Sequence, residues 1–185
     1  MKSIKTKMMA YFLAPILVAF LIIGIVIPLN VSKTVNNLNN SLTTNIVEAR
    51  AAEIGKYIDG YSQLVKFWSE TNGIKSADLA TIKPYIETRQ AGLKSDVAMI
   101  IYSDLNGDYI TSLGGSGSIS DREYFIELTK NNKEATVSDP VQSKSTGQNT
   151  FIIASIVKND KGEKTGIVAA SISLNIFNTA VSDIK

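Results

Sequence analysis

The chain has 185 residues, 19 of them basic and 17 acidic, and contains neither cysteine nor histidine. That composition excludes disulfides, thiol chemistry, cysteine or histidine zinc sites and histidine acid–base catalysis. Lys2, Lys5 and Lys7 supply +3 toward the formal net charge of +2, so the rest of the chain sums to −1 and has no basic surplus with which to bind nucleic acid.

Residues 1–7 carry those lysines, and Met8–Leu29 follows as a run without a charged side chain. As a helix it is about 33 Å long, against a hydrocarbon core of about 30 Å. The run is longer than the apolar region of a cleaved signal peptide and ends Ile-Pro-Leu-Asn-Val, so it reads as an uncleaved signal anchor. The lysines lie only on its N-terminal side, which places residues 1–7 in the cytoplasm and everything after Asn30 outside the cell membrane.

Between 30 and 75 the pattern becomes polar with a narrow apolar stripe, ending Ile54, Ile58, Tyr61, Val65 and Trp68. Spacings of four and three make an a/d seam on a long stalk helix, through which two copies could pair as a homodimer. Tyr57, Phe67 and Trp68 are bulky for a simple seam, so the distal half is expected to pack on a globular module.

Thr71-Asn72-Gly73 reads as the helix end, and Ser76 as the N-cap of a second helix that Pro84 should kink or break. Val97–Ser103 and Asp108–Ser112 then form a hairpin around Asp104-Leu105-Asn106-Gly107. Asp104, Asn106 and Asp108 lack the order and the closing glutamate of a calcium loop, so no metal is expected. Gly114–Ser118 reads as a flexible loop without a phosphate-binding Gly-Lys-Ser. A helix over Asp121–Asn131 follows, with Ser120 or Asp121 as N-cap and its first turn directing free N–H groups, Arg122 and Tyr124 toward one spot suited to an anion. The remaining strands, Ala135–Ser138, Thr150–Lys158 and Thr165–Leu174, suggest an antiparallel meander, and Ile176–Ile184 a last helix.

This order of parts resembles the N-terminal part of a double Cache (dCache) sensor, the extracytoplasmic ligand-binding region of methyl-accepting chemotaxis proteins and of some sensor kinases and cyclases. The resemblance rests on Ser120-Asp121-Arg122-Glu123-Tyr124-Phe125, on Val137-Ser138-Asp139-Pro140 with Ser145-Thr146-Gly147, and on Gly166–Leu174. It implies an α+β fold: transmembrane helix, stalk helix, then over 76–185 a PAS-like antiparallel sheet flanked by helices. It also implies a ligand held between the sheet and the Arg-x-Tyr helix, in a chemotaxis or other signal-transduction receptor, with no catalytic residue and no cofactor.

Arg122 matches the arginine that takes a ligand carboxylate and Tyr124 the aromatic beside it, with Asp121 and Asp139 flanking them in the matching motifs. In the amino-acid-binding branch a tyrosine and an aspartate precede the Thr-Gly turn, near Val141 and Ser143, and a further aspartate on the closing strand falls near Ser171. Acidic groups for an amine are missing at those positions, so the expected ligand is a small organic acid or a polar neutral molecule. The family continues into a second module and a cytoplasmic region, and the expectation is that this chain is a truncated piece of a longer receptor. The alternative is a pilin-like structural surface protein with no ligand, against which the absence of a glutamate from Met8–Leu29 argues.

Overall fold

The computed structural model describes residues 4–175, so the helix expected over Ile176–Ile184 lies outside the described residues. Helix α1 runs over Ile4–Ser69 and passes Pro15 and Pro28 without ending. The chain divides into two compact units, one up to Ala51 and one from Ala52 onward. Within the first unit, α1 is long and apolar enough to cross a membrane, its most apolar window having a mean hydropathy of 2.9.

In the second unit the end of α1 turns through Thr71 into a short helix, α2 (Asn72–Lys75). Ser76 is the C-cap of α2 and not the start of the next helix. Asp78 caps α3 (Leu79–Gln90) instead, its carboxylate accepting from the Ala80 and Thr81 N–H groups at 3.3 and 3.2 Å and from Thr81 Oγ1 at 2.8 Å. The correction has a local cause, because Ala77 adopts a φ of 52° that separates Ser76 from the first helical turn. Pro84 lies inside α3 without breaking it.

Seven strands form one antiparallel sheet: β1 (Val97–Ser103), β2 (Asp108–Thr111), β3 (Ser116–Ser118), β4 (Ala135–Val137), β5 (Val141–Gln142), β6 (Asn149–Lys158) and β7 (Lys164–Ser173). Their order is β3-β2-β1-β7-β6-β4, with β5 also paired to β6. The sheet contains the meander expected after α4, since β4, β6 and β7 lie side by side and antiparallel, and it joins this to the β1–β2 hairpin. Its chain starts in the middle at β1, runs out to one edge, crosses over by helix α4 (Glu123–Thr129) to the other edge, and returns inward so that β7 closes against β1. Gly114–Ser118 is likewise more than a loop, since its last three residues form β3 and pair with β2.

Strand alternation sorts the apolar residues onto two faces. On one, Ile100, Tyr102, Phe151, Ile153, Val168 and Ile172 pack with Val65 and Trp68 of α1, Ile74 of α2, and Ile82 and Ile86 of α3. The a/d seam thus serves in this unit to bury α1 on the sheet through Val65 and Trp68, whereas Tyr57 and Phe67 stay exposed. On the other face, Met99, Ile101, Ile152, Ala154, Ile156, Ile167 and Ala169 pack with Tyr124, Phe125 and Leu128 of α4.

The turn between β1 and β2 is held by Asp104, whose Oδ1 accepts from the N–H groups of Asn106 and Asp108, each at 2.9 Å. The carboxylate is therefore occupied by its own turn, in keeping with the reading of these residues as turn chemistry. Among the described residues no cluster suited to a metal ion occurs.

Candidate functional site

The site lies on the α4 side of the sheet and is assembled from three pieces. The first is the sheet itself, where Met99, Ile101 and Ile152 form an apolar floor. The second is the link from β3 into α4: the Ile119 N–H donates to Gly107 O at 2.8 Å and the Arg122 N–H to Ile119 O at 2.9 Å, fixing where α4 begins. Arg122 itself is the N-cap of α4 and makes no side-chain cap, so neither Ser120 nor Asp121 caps the helix. A guanidinium only donates, so it cannot accept from the N–H groups of the first turn.

The third piece is the segment following β5, which roofs the floor. Arg122 Nη2 donates to Gln142 O at 3.0 Å, Lys144 Nζ to Asp121 Oδ1 at 2.6 Å and to Ser118 O at 2.9 Å, and the Tyr109 hydroxyl meets Ser145 Oγ at 3.1 Å. The roof is also internally braced, with the Ser143 N–H donating to Gln148 O and the Gly147 N–H to Ser143 O, each at 2.9 Å. Beneath it is a cavity of about 30 Å³ whose walls include Tyr109, Ile119, Tyr124 and Val141.

Its lining contains the cations Arg122 and Lys144 and no carboxylate. Tyr124 is 4% exposed, and its hydroxyl is pushed up to about 12 by burial, with the Arg122 charge acting in the opposite direction. It therefore stays a neutral donor at any physiological pH. One Arg122 nitrogen is engaged by Gln142 O, and a guanidinium carries five N–H donors, so several remain for an anion.

Of the residues singled out in the sequence, Arg122, Tyr124 and Ser143 line this cavity. Asp121 and Asp139 do not; with Glu123 and Glu127 they line a neighbouring groove of about 420 Å³ that shares Arg122, Tyr124 and Val141 with the cavity. Ser171 is fully buried on the floor's face, in register between Met99 of β1 and Ile152 of β6, behind the lining rather than in it. The sequence reading missed Tyr109, Ile119, Lys144 and Ser145. The period-two pattern of β2 carries a signal for Tyr109, whereas the other three depend on how distant loops meet.

The Lys144–Asp121 pair yields a test. The hydrogen bond from Lys144 holds the Asp121 carboxyl below the usual carboxylate range, with Arg122 adding to the effect. A carboxylate with a depressed folded-state pKa contributes stability that is fully present above its unfolded value and is lost as the pH falls through the folded value. The roof contact should therefore persist at neutral pH and loosen only in acid. In a titration followed by carboxyl-carbon NMR, Lys144→Ala should move the Asp121 midpoint upward; an unmoved midpoint would show that the pair does not form.

No family model matches the chain, and no curated protein is similar to it at a significant level. Solved structures are similar in fold. The ligand-binding domain of the Pseudomonas fluorescens chemoreceptor CtaA in complex with L-isoleucine matches 75% of this chain and 58% of its own at 20% identity, with a TM-score of 0.62. The ligand-binding domain of the Pseudomonas aeruginosa amino acid chemoreceptor PctB in complex with L-Gln matches 74% and 56% at 16% identity, TM-score 0.61. The sensory domain of the Campylobacter jejuni chemoreceptor Tlp3, with isoleucine bound, matches 76% and 61% at 9% identity, TM-score 0.60. The chain shares the fold of these chemoreceptor sensor domains, the kind of fold that the Cache resemblance implies, and spans roughly three fifths of their length.

Proposed function

We propose that this chain is the extracytoplasmic sensing module of a membrane receptor and that it binds a small organic acid or a polar neutral molecule in the cavity under Gln142–Ser145. One observation carries the reading: in a sensor fold, a cavity walled by buried aromatics has two cations and no carboxylate in its lining. The CtaA, PctB and Tlp3 domains were solved with amino acids. An α-amino acid brings an ammonium group as well as a carboxylate, and a buried ammonium without a counter-charge is costly. The cavity suits the carboxylate alone. Catalysis, a cofactor and nucleic acid form no part of this proposal, and a second copy paired through α1 is supported by the exposed Tyr57 and Phe67.

The test is a thermal-shift screen of the full chain in detergent micelles against organic acids, amino acids and nucleobases. A ligand at about a hundred times its dissociation constant adds about 2.7 kcal/mol to the folded state. Shifts confined to free amino acids, with both termini required, would sink the proposed ligand class. The topology has its own test. A cysteine introduced at Ser116, on the exposed strand β3, should react with a membrane-impermeant thiol reagent in intact cells, and one at Ser3 should not. The reverse pattern would overturn the outside placement.

A further inference from the structure

Among the described residues, three buried side-chain oxygens have no hydrogen-bond partner: Tyr85 OH, Thr150 Oγ1 and Ser171 Oγ. Buried hydroxyls are nearly always paired, so each such orphan calls for a reason. Tyr85 belongs to the opposite face of the sheet, against the cluster of α1, α2 and α3. Thr150 and Ser171 are together. Thr150 is two residues from Ile152 on β6 and so shares its face, while Ser171 is the register partner of Ile152 across β7. Both are completely buried, and their immediate neighbours in the sheet, Met99, Val141 and Ile152, all line the cavity.

We infer that Thr150 and Ser171 form an uncharged polar subsite behind the cavity floor, and that the ligand carries a neutral hydrogen-bonding group, a hydroxyl or a carbonyl, remote from its anionic end. This inference rests on the cavity being the ligand site. Each hydroxyl can donate one hydrogen bond and accept others, so the pair serves a ligand hydroxyl in either sense. Their register neighbours, Ser173, Val141, Met99 and Ile152, carry no charge, so an ammonium group would find no counter-ion there. A cavity of about 30 Å³ has room for little more than one water, so a ligand must displace something. Met99 is both the register partner of Ser171 and part of the lining, and its unbranched thioether chain is the floor group that repacks most readily.

The experiment is calorimetry on the full chain in detergent with butyrate, the three positional hydroxybutyrates and the three matching aminobutyrates. One hydroxybutyrate should bind about tenfold or more tighter than both butyrate and its amino counterpart, the worth of a buried hydrogen bond. Thr150→Val combined with Ser171→Ala should abolish that advantage. The same pair of changes should hold or raise the melting temperature of the unliganded protein, because it removes two unsatisfied hydroxyls. Butyrate binding as tightly as every hydroxybutyrate, an aminobutyrate binding tightest, an advantage surviving in the double variant, or a lowered melting temperature would each overturn the subsite while leaving the cavity reading intact. If no member of the series binds, the cavity reading falls and the subsite with it.

Discussion

Arg122→Ala should lower the affinity for a carboxylate ligand by about 2–5 kcal/mol, because the ligand's charge would then be buried without its partner. The effect is large because the lining offers only one other cation, Lys144, which is already engaged by Asp121 and Ser118 O. Arg122 also tethers the roof through Gln142 O, and loss of that single hydrogen bond is worth about 0.5–1.5 kcal/mol. Two roles are thus mixed in one side chain. Arg122→Lys separates them in part, since it keeps the charge but gives up the planar fork, and should fall between wild type and alanine. Calorimetry against an acid found in the screen, with melting curves of the unliganded variants, reads both. Equal affinity in wild type and Arg122→Ala would show that the guanidinium serves the roof alone.

How much of this was legible in the sequence depended on whether the cause was local. Val97–Ser103, the Asp104–Gly107 turn and the presence of a helix after Asp121 were readable because period, turn chemistry and apolar content lie within a few residues. Ser116–Ser118 was not, because Gly and Ser give no strand signal; β3 forms because β2 offers an edge and because Gly117 lets the backbone pass under the Tyr109 ring, 3.1 Å from where a Cβ would sit. The pairing of β1 with β7 joins residues some seventy positions apart, beyond the reach of local pattern. The site divides in the same way. The resemblance located Arg122, Tyr124 and Ser143, all in the cavity, but its flanking acids Asp121 and Asp139 belong to the neighbouring groove. The Lys144–Asp121 contact spans the gap between two loops and has no sequence signature.

Gly107→Ala should be among the most damaging single substitutions in the second unit, at about 2–5 kcal/mol of stability. Gly107 has a φ of 96°, which an L side chain rarely adopts, and an added Cβ would lie 2.7 Å from both N and Cβ of Ser120 and 2.8 Å from its Cα. Those atoms are backbone or attached directly to it, so they cannot swing aside as the end of a long side chain would. The shift would have to be taken up by the Ile119–Arg122 link, which is fastened to Gly107 by the Ile119 N–H and carries both Asp121 and Arg122. Gly162→Ala isolates the backbone part of the cost. Its φ is 81°, but nothing lies within 4 Å of the added atom, so it should cost only about 1–2 kcal/mol. Denaturant melts of the two variants give the difference. A loss at position 107 no greater than at 162 would show that the link to α4 yields freely; a larger loss, with ligand affinity falling in the folded variant as well, would show that the β1–β2 turn sets the position of Arg122.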